Sequence, residues 1–87
     1  MKIEQVKFTF KGDLLAASFL EFAQHRAQRL SLQLVTQYQS DTCAKMVVTG
    51  QSALVDAFEM AMSLGPQDCV VYNISRDEMQ VKKGMSL

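Results

Sequence analysis

Eighty-seven residues suffice for one domain with one core, and 48% hydrophobic with 21% charged residues is the composition of a folded chain, not a disordered tail. Nine basic residues balance nine acidic ones, which argues against nucleic acid or an anionic membrane surface as partner. No unbroken apolar run exceeds four residues (14–17 is one), so no segment is expected to span a bilayer. Residues 1–10 include Glu4, Gln5, Lys7 and Thr9, which is no secretory h-region, and a cytoplasmic location is expected.

Residues 2–11 read as a strand, because Val6, Phe8 and Phe10 alternate with Lys7, Thr9 and Lys11. Gly12 and Asp13 should end it, with Asp13 as N-cap of the helix that follows. Over 14–30 the spacing turns helical: Leu15, Phe19, Phe22, Ala23 and Leu30 share one face, and Glu21, Gln24, His25 and Gln28 lie opposite. Arg26 falls at the edge of the apolar face, where its stem can lie on the core. Residues 32–39 alternate again, with Leu32, Leu34, Thr36 and Tyr38 on one side. Ser40, Asp41 and Thr42 supply a turn, and 43–49 returns as a strand with Ala44, Met46 and Val48 on one side. Gly50 should end this hairpin.

A second amphipathic helix is expected over 52–64, with Leu54, Phe58, Ala61 and Met62 inward, Asp56, Glu59 and Met60 outward, and Gly65-Pro66 as its stop. A last strand covers 69–75, where Val70, Tyr72 and Ile74 alternate. Residues 76–87 leave room for a short edge strand near 79–81 and a frayed end. The order β-α-β-β-α-β, with strand, glycine and helix repeated at Gly12 and Gly50, predicts a ferredoxin-like α+β sandwich. Its antiparallel sheet carries both helices on one face, the first and third strands are central, and the fourth lies beyond the first. One domain of 1–87 is expected, with its core in about 2–76 and an edge strand or flexible tail in 77–87.

Cys43 and Cys69 fall on strands that are not neighbours, roughly 9–10 Å apart at two strand spacings, beyond disulfide reach. They read as reduced, packed side chains. With one histidine, His25, and no CxxC, neither a metal site nor a cysteine nucleophile with an adjacent base is expected. His25, Arg26 and Arg29 form a small basic patch that reads as a solvated face. Asp56 and Glu59 have no base within a turn, so pairing between the two helices is expected to satisfy them.

The chain resembles the acylphosphatase family over roughly residues 3–81. The resemblance rests on Phe10-Lys11-Gly12 at the first strand's end, Phe19, Leu30-Ser31-Leu32, Val48-Thr49-Gly50 and Leu64-Gly65-Pro66. That family hydrolyses carboxyl-phosphate anhydrides: a glycine-containing loop holds the phosphate through backbone N–H groups, an arginine in the first helix closes the site, and an asparagine late in the second strand orients the water. A dianionic transferring group needs such fixed positive charge and preorganised donors. Here the arginine position falls on Leu20, the asparagine position on Tyr38, and the loop reads Asp13-Leu14-Leu15-Ala16-Ala17 with Ala16 where the family keeps a glycine. The resemblance therefore implies a non-catalytic acylphosphatase-like domain, without cofactor, that binds a small ligand or a protein. The alternative is a weak or altered acyl phosphate hydrolase.

Asp13, Leu14, Leu15, Ala16, Ala17, Leu20 and Tyr38 are the candidate binding residues, with Leu20 and Tyr38 turning an anion cradle into a less polar recess. As for partners, the chain is expected as a monomer or weak homodimer. The strand edge at 70–74 is available for pairing, and Arg76, Lys82 and Lys83 stand near it as guards.

Overall fold

The computed structural model describes residues 2–79. Six elements follow one another: β1 (Ile3–Asp13), α1 (Ala16–Arg29), β2 (Gln33–Gln39), β3 (Cys43–Gln51), α2 (Ser52–Leu64) and β4 (Val70–Met79). The sheet runs in the order β2-β3-β1-β4, and every neighbouring pair is antiparallel. This is the ferredoxin-like arrangement that the element order predicts.

One face of the central strands is apolar and carries both helices. In β1, Val6, Phe8 and Phe10 pair with Val48, Met46 and Ala44 of β3, and all six side chains are fully buried. Phe19, Ala23 and Ala27 of α1 and Val55, Phe58 and Met62 of α2 close the core from above. Phe10 meets Phe19 edge-on at 5.3 Å, and Phe8 lies 5.9 Å from Phe58, so β1 ties each helix by an aromatic pair. Met60 is exposed, whereas Met46 and Met62 fill the core. Cys43 and Cys69 are free thiols.

Several local expectations are corrected. Gly12 and Asp13 belong to β1 instead of ending it, and Gly50 lies inside β3. The first helix begins at Ala16, so Leu15 sits outside the turn it was expected to face and is exposed. Ala27, not Leu15, takes the buried position on α1, and Val55 joins Phe58 and Met62 on α2 while Leu54 is half-buried.

Two strand irregularities reset the alternation. Between Thr36 and Tyr38 the β2–β3 register shifts, so Tyr38 faces Lys45 and stands with Val35 on the sheet face away from the helices. Between Lys11 and Gly12 the β1–β4 register shifts, so Tyr72 is the extra residue. Ile74 points inward while Val70 and Tyr72 are exposed. β4 then continues without a break through Arg76 to Met79, paired with β1, where a separate strand near 79–81 was expected. Residues 80–87, the rest of that expected segment, lie outside the described residues.

Both helices stop for identifiable reasons. Ser31 takes a left-handed φ of 57°, and the N–H groups of Ser31 and Leu32 bond to the carbonyls of Gln28 and Ala27, a paired closure of the last turn of α1. Gly65, at φ 66°, ends α2 as its sequence predicts.

Candidate functional site

The register of β1 against β3 brings Lys11 opposite Cys43, so the β2–β3 turn stands beside the loop that leads into α1. Ser40 builds that turn: its Oγ accepts from the N–H groups of Thr42 (3.2 Å) and Cys43 (3.0 Å). The turn then grips the loop. The N–H of Gly12 donates to the Thr42 carbonyl at 3.1 Å, and that of Leu14 to the Asp41 carbonyl at 2.7 Å. At the start of α1 the Ala16 N–H donates to Asp41 Oδ1 at 3.1 Å. Between them the Leu15 N–H donates to Cys69 Sγ at 3.4 Å.

The capping acceptor of α1 is thus Asp41, twenty-five residues away, and not Asp13. Asp13 instead accepts a hydrogen bond from the Tyr72 hydroxyl. That bond, then the charge of the same carboxylate, raises the Tyr72 phenol above its ordinary value. On the other side, Ser18 Oγ donates to Asp68 Oδ1 at 2.9 Å. Burial pushes the Cys69 thiol up; the Leu15 N–H partly offsets this, and the Asp68 carboxylate adds to the rise.

Together these residues frame a shallow recess of about 280 Å³, lined by Asp13, Leu14, Leu15, Asp41, Thr42 and Asp68. Asp13, Leu14 and Leu15 are thus at its wall, and Ala16 and Ala17 open α1 beside it. Leu20 packs half-buried against the core, and Tyr38 stands exposed opposite Lys45. Neither lines the recess. Asp41, Thr42 and Asp68 complete it; the sequence shows Ser40-Asp41-Thr42 as turn chemistry but not which loop that turn meets. Three carboxylates at one recess oppose an anion and favour a neutral or cationic group. Among the described residues no cluster of three or more His, Cys, Asp or Glu side chains could hold a metal ion.

A second hollow, about 300 Å³, lies along α1 between Phe22, His25, Arg26 and Arg29. The Arg26 guanidinium sits 5.4 Å from the Phe22 ring centroid, and both arginines lie in the last turn, where they complement the helix dipole.

Arg76 is the most connected side chain on the helix-bearing face. Its guanidinium binds Glu4 (3.1 Å), Asp56 (2.9 Å) and Glu59 (2.7 Å), and Nε faces Glu78 at 3.7 Å. Asp56 and Glu59 are therefore satisfied from β4, not by helix-to-helix pairing. Burial works against the Arg76 charge, but the hydrogen bonds to Glu59 and Asp56 outweigh it and raise its affinity for the proton.

No family model matches the chain, and no curated protein matches it. Solved structures do. The acylphosphatase from Bacillus subtilis superposes with a TM-score of 0.82 over 95% of this chain and 91% of that one, at 20% identity. An acylphosphatase from Coxiella burnetii gives 0.82 over 93% and 85%, also at 20% identity. Full-length HypF, in its phosphate- and nucleotide-bound form, gives 0.79 at 22% identity over 94% of this chain but 11% of that much longer one. The chain has an acylphosphatase-like fold. Among the described residues no helix is long and apolar enough to cross a membrane.

Proposed function

We propose that this chain is a non-catalytic acylphosphatase-like domain that acts through binding. One observation carries the reading: three consecutive backbone donors at the entrance to α1 are already taken. The N–H groups of Leu14, Leu15 and Ala16 bond to the Asp41 carbonyl, Cys69 Sγ and the Asp41 carboxylate. A phosphate seeking those donors would have to displace an internal cap and face Asp13, Asp41 and Asp68. A single carboxylate about 6 Å from a dianion costs roughly 1.4 kcal/mol even in bulk-water dielectric. The resemblance supplies the second support, since its arginine and asparagine positions fall on Leu20 and Tyr38 in the sequence.

Loss of such an arginine alone costs about 10³–10⁵ in rate. The recess beside Asp13, Leu14, Leu15, Ala16 and Ala17 then suits a neutral or cationic group better than an acyl phosphate. A cytoplasmic setting accords with two free cysteines.

The test is hydrolysis of a simple acyl phosphate together with an amide chemical-shift titration by inorganic phosphate. The native chain is expected to show no turnover above the uncatalysed reaction and no saturable shifts at Leu14, Leu15 and Ala16. Turnover by the native chain, abolished by a substitution in the loop, overturns the reading.

A further inference from the structure

The two outer strands of the sheet are protected very differently. β4 carries Arg76, Asp77 and Glu78 along its last residues, the kind of charge that discourages pairing with another chain. β2 reads Gln-Leu-Val-Thr-Gln-Tyr-Gln, with no charge, no proline and no glycine, and the uncharged stretch extends over residues 30–40. One side of β2 pairs with β3, and among the described residues its other side has no strand beside it. Val35 is 60% exposed and Tyr38 52%. An edge of this kind leaves a row of N–H and C=O groups ready for a further strand.

We propose that β2 is the interface through which two copies of this chain pair, antiparallel about a two-fold axis near Val35, joining two four-stranded sheets into one of eight strands. Two-fold pairing sets each residue against its own symmetry mate or a close neighbour. With the axis at Val35, Val35 faces Val35 of the second copy and Leu34 faces Thr36. A charged residue near the axis would meet its own sign, and β2 has none.

The open sheet face adds apolar surface, because Val35 lies opposite Val47 there. The irregularity between Thr36 and Tyr38 confines regular pairing to the first part of the strand. A foreign peptide would need side-chain pockets along the edge for specificity, and no β2 residue lines the recesses at α1 or at the 13–15 loop. The second copy needs none. Pairing at β2 is independent of any chemistry at the loop.

Sedimentation of the full chain from micromolar to millimolar concentration tests this, with Val35→Lys, Val35→Glu and their equimolar mixture. The native chain is expected to approach twice its monomer mass as concentration rises. Each single variant should stay monomeric, and the mixture should regain the dimer, which also shows that both variants are folded. Native monomer throughout, or a dimer undiminished in Val35→Lys, overturns the proposal. So does a dimer abolished by Tyr72→Lys on β4 but not at Val35.

Discussion

The Asp41 carboxylate caps helix α1 by accepting the Ala16 N–H at 3.1 Å, across twenty-five residues of sequence. The same residue's carbonyl accepts from Leu14, so one turn residue secures both the loop and the helix behind it. Replacing Asp41 by Ala removes the side-chain cap and keeps the backbone bond. A loss of about 1 kcal/mol is expected, seen as a fall in Tm of roughly 4–8 °C for a domain of this size. The freed Ala16 N–H and the lost negative charge should also let phosphate shift the Ala16 amide in Asp41→Ala, measured by the same titration that leaves the native chain unmoved.

Arg76 and Glu4 form the most enclosed ion pair, with side chains 21% and 13% exposed. The guanidinium also lies 5.6 Å from the Phe8 ring centroid. Arg76→Met would leave Glu4 charged and largely shielded from water, at a cost of roughly 2 kcal/mol, below the range for fully buried pairs. The bonds to the exposed Asp56 and to Glu78 add little. Adding Glu4→Gln to Arg76→Met should recover part of the loss. Urea unfolding of the four species measures this, and strictly additive effects would show that the pair is not coupled.

Gly12 and Gly50 both pass close to other parts of the chain, but their neighbours differ in stiffness. A Cβ on Gly12 would come within 2.0 Å of the Val70 carbonyl oxygen, in the backbone of the paired strand. A Cβ on Gly50 would meet the Leu32 Cδ2 atom at 2.3 Å, the end of a side chain that can rotate. Gly12→Ala is therefore expected to cost about 3 kcal/mol and Gly50→Ala about 1 kcal/mol. Equal losses in denaturant unfolding would contradict this ordering.

Stability should decline on the alkaline side. The Cys69 thiol is raised by burial, so the folded chain holds its proton to higher pH than the unfolded one. Its contribution is fully present below the unfolded thiol value of about 8.5 and is lost as pH climbs above it towards the folded value. Tyr72, raised chiefly by its hydrogen bond to Asp13, acts in the same direction at higher pH. Thermal unfolding should show a flatter alkaline limb for Cys69→Ala than for the native chain. In the folded protein, iodoacetamide should modify the half-exposed Cys43 before the buried Cys69.

Periodicity with its glycine and proline stops was enough to read the element order, the boundaries of α2 and most of the core, and the crossover rule added the pairing order of the strands. Val6, Phe8, Phe10, Phe19, Ala23, Ala44, Met46, Val48, Phe58 and Met62 all repeat at the spacing of their element and all are buried. Such patterns depend on residues a few positions apart, and the need to bury one face turns them directly into strand or helix. The loop 13–17 is a candidate site through the resemblance to acylphosphatases and not through periodicity.

Everything that gives that junction its character came from elsewhere in the chain. The cap is Asp41 of a turn, and the acceptor for Leu15 is a thiol fifty-four residues on; at the other end of β1, Arg76 likewise reaches Glu4 across seventy-two. The faces of Tyr38 and Tyr72 depended on register shifts against partner strands, which a period-two count along one strand cannot contain. Sequence by itself determined most of the residues that must be hidden, since hydrophobic spacing is local. Tertiary structure alone decided which polar groups meet, because hydrogen bonds and ion pairs form between whichever donors and acceptors the packed strands happen to bring within about 3 Å.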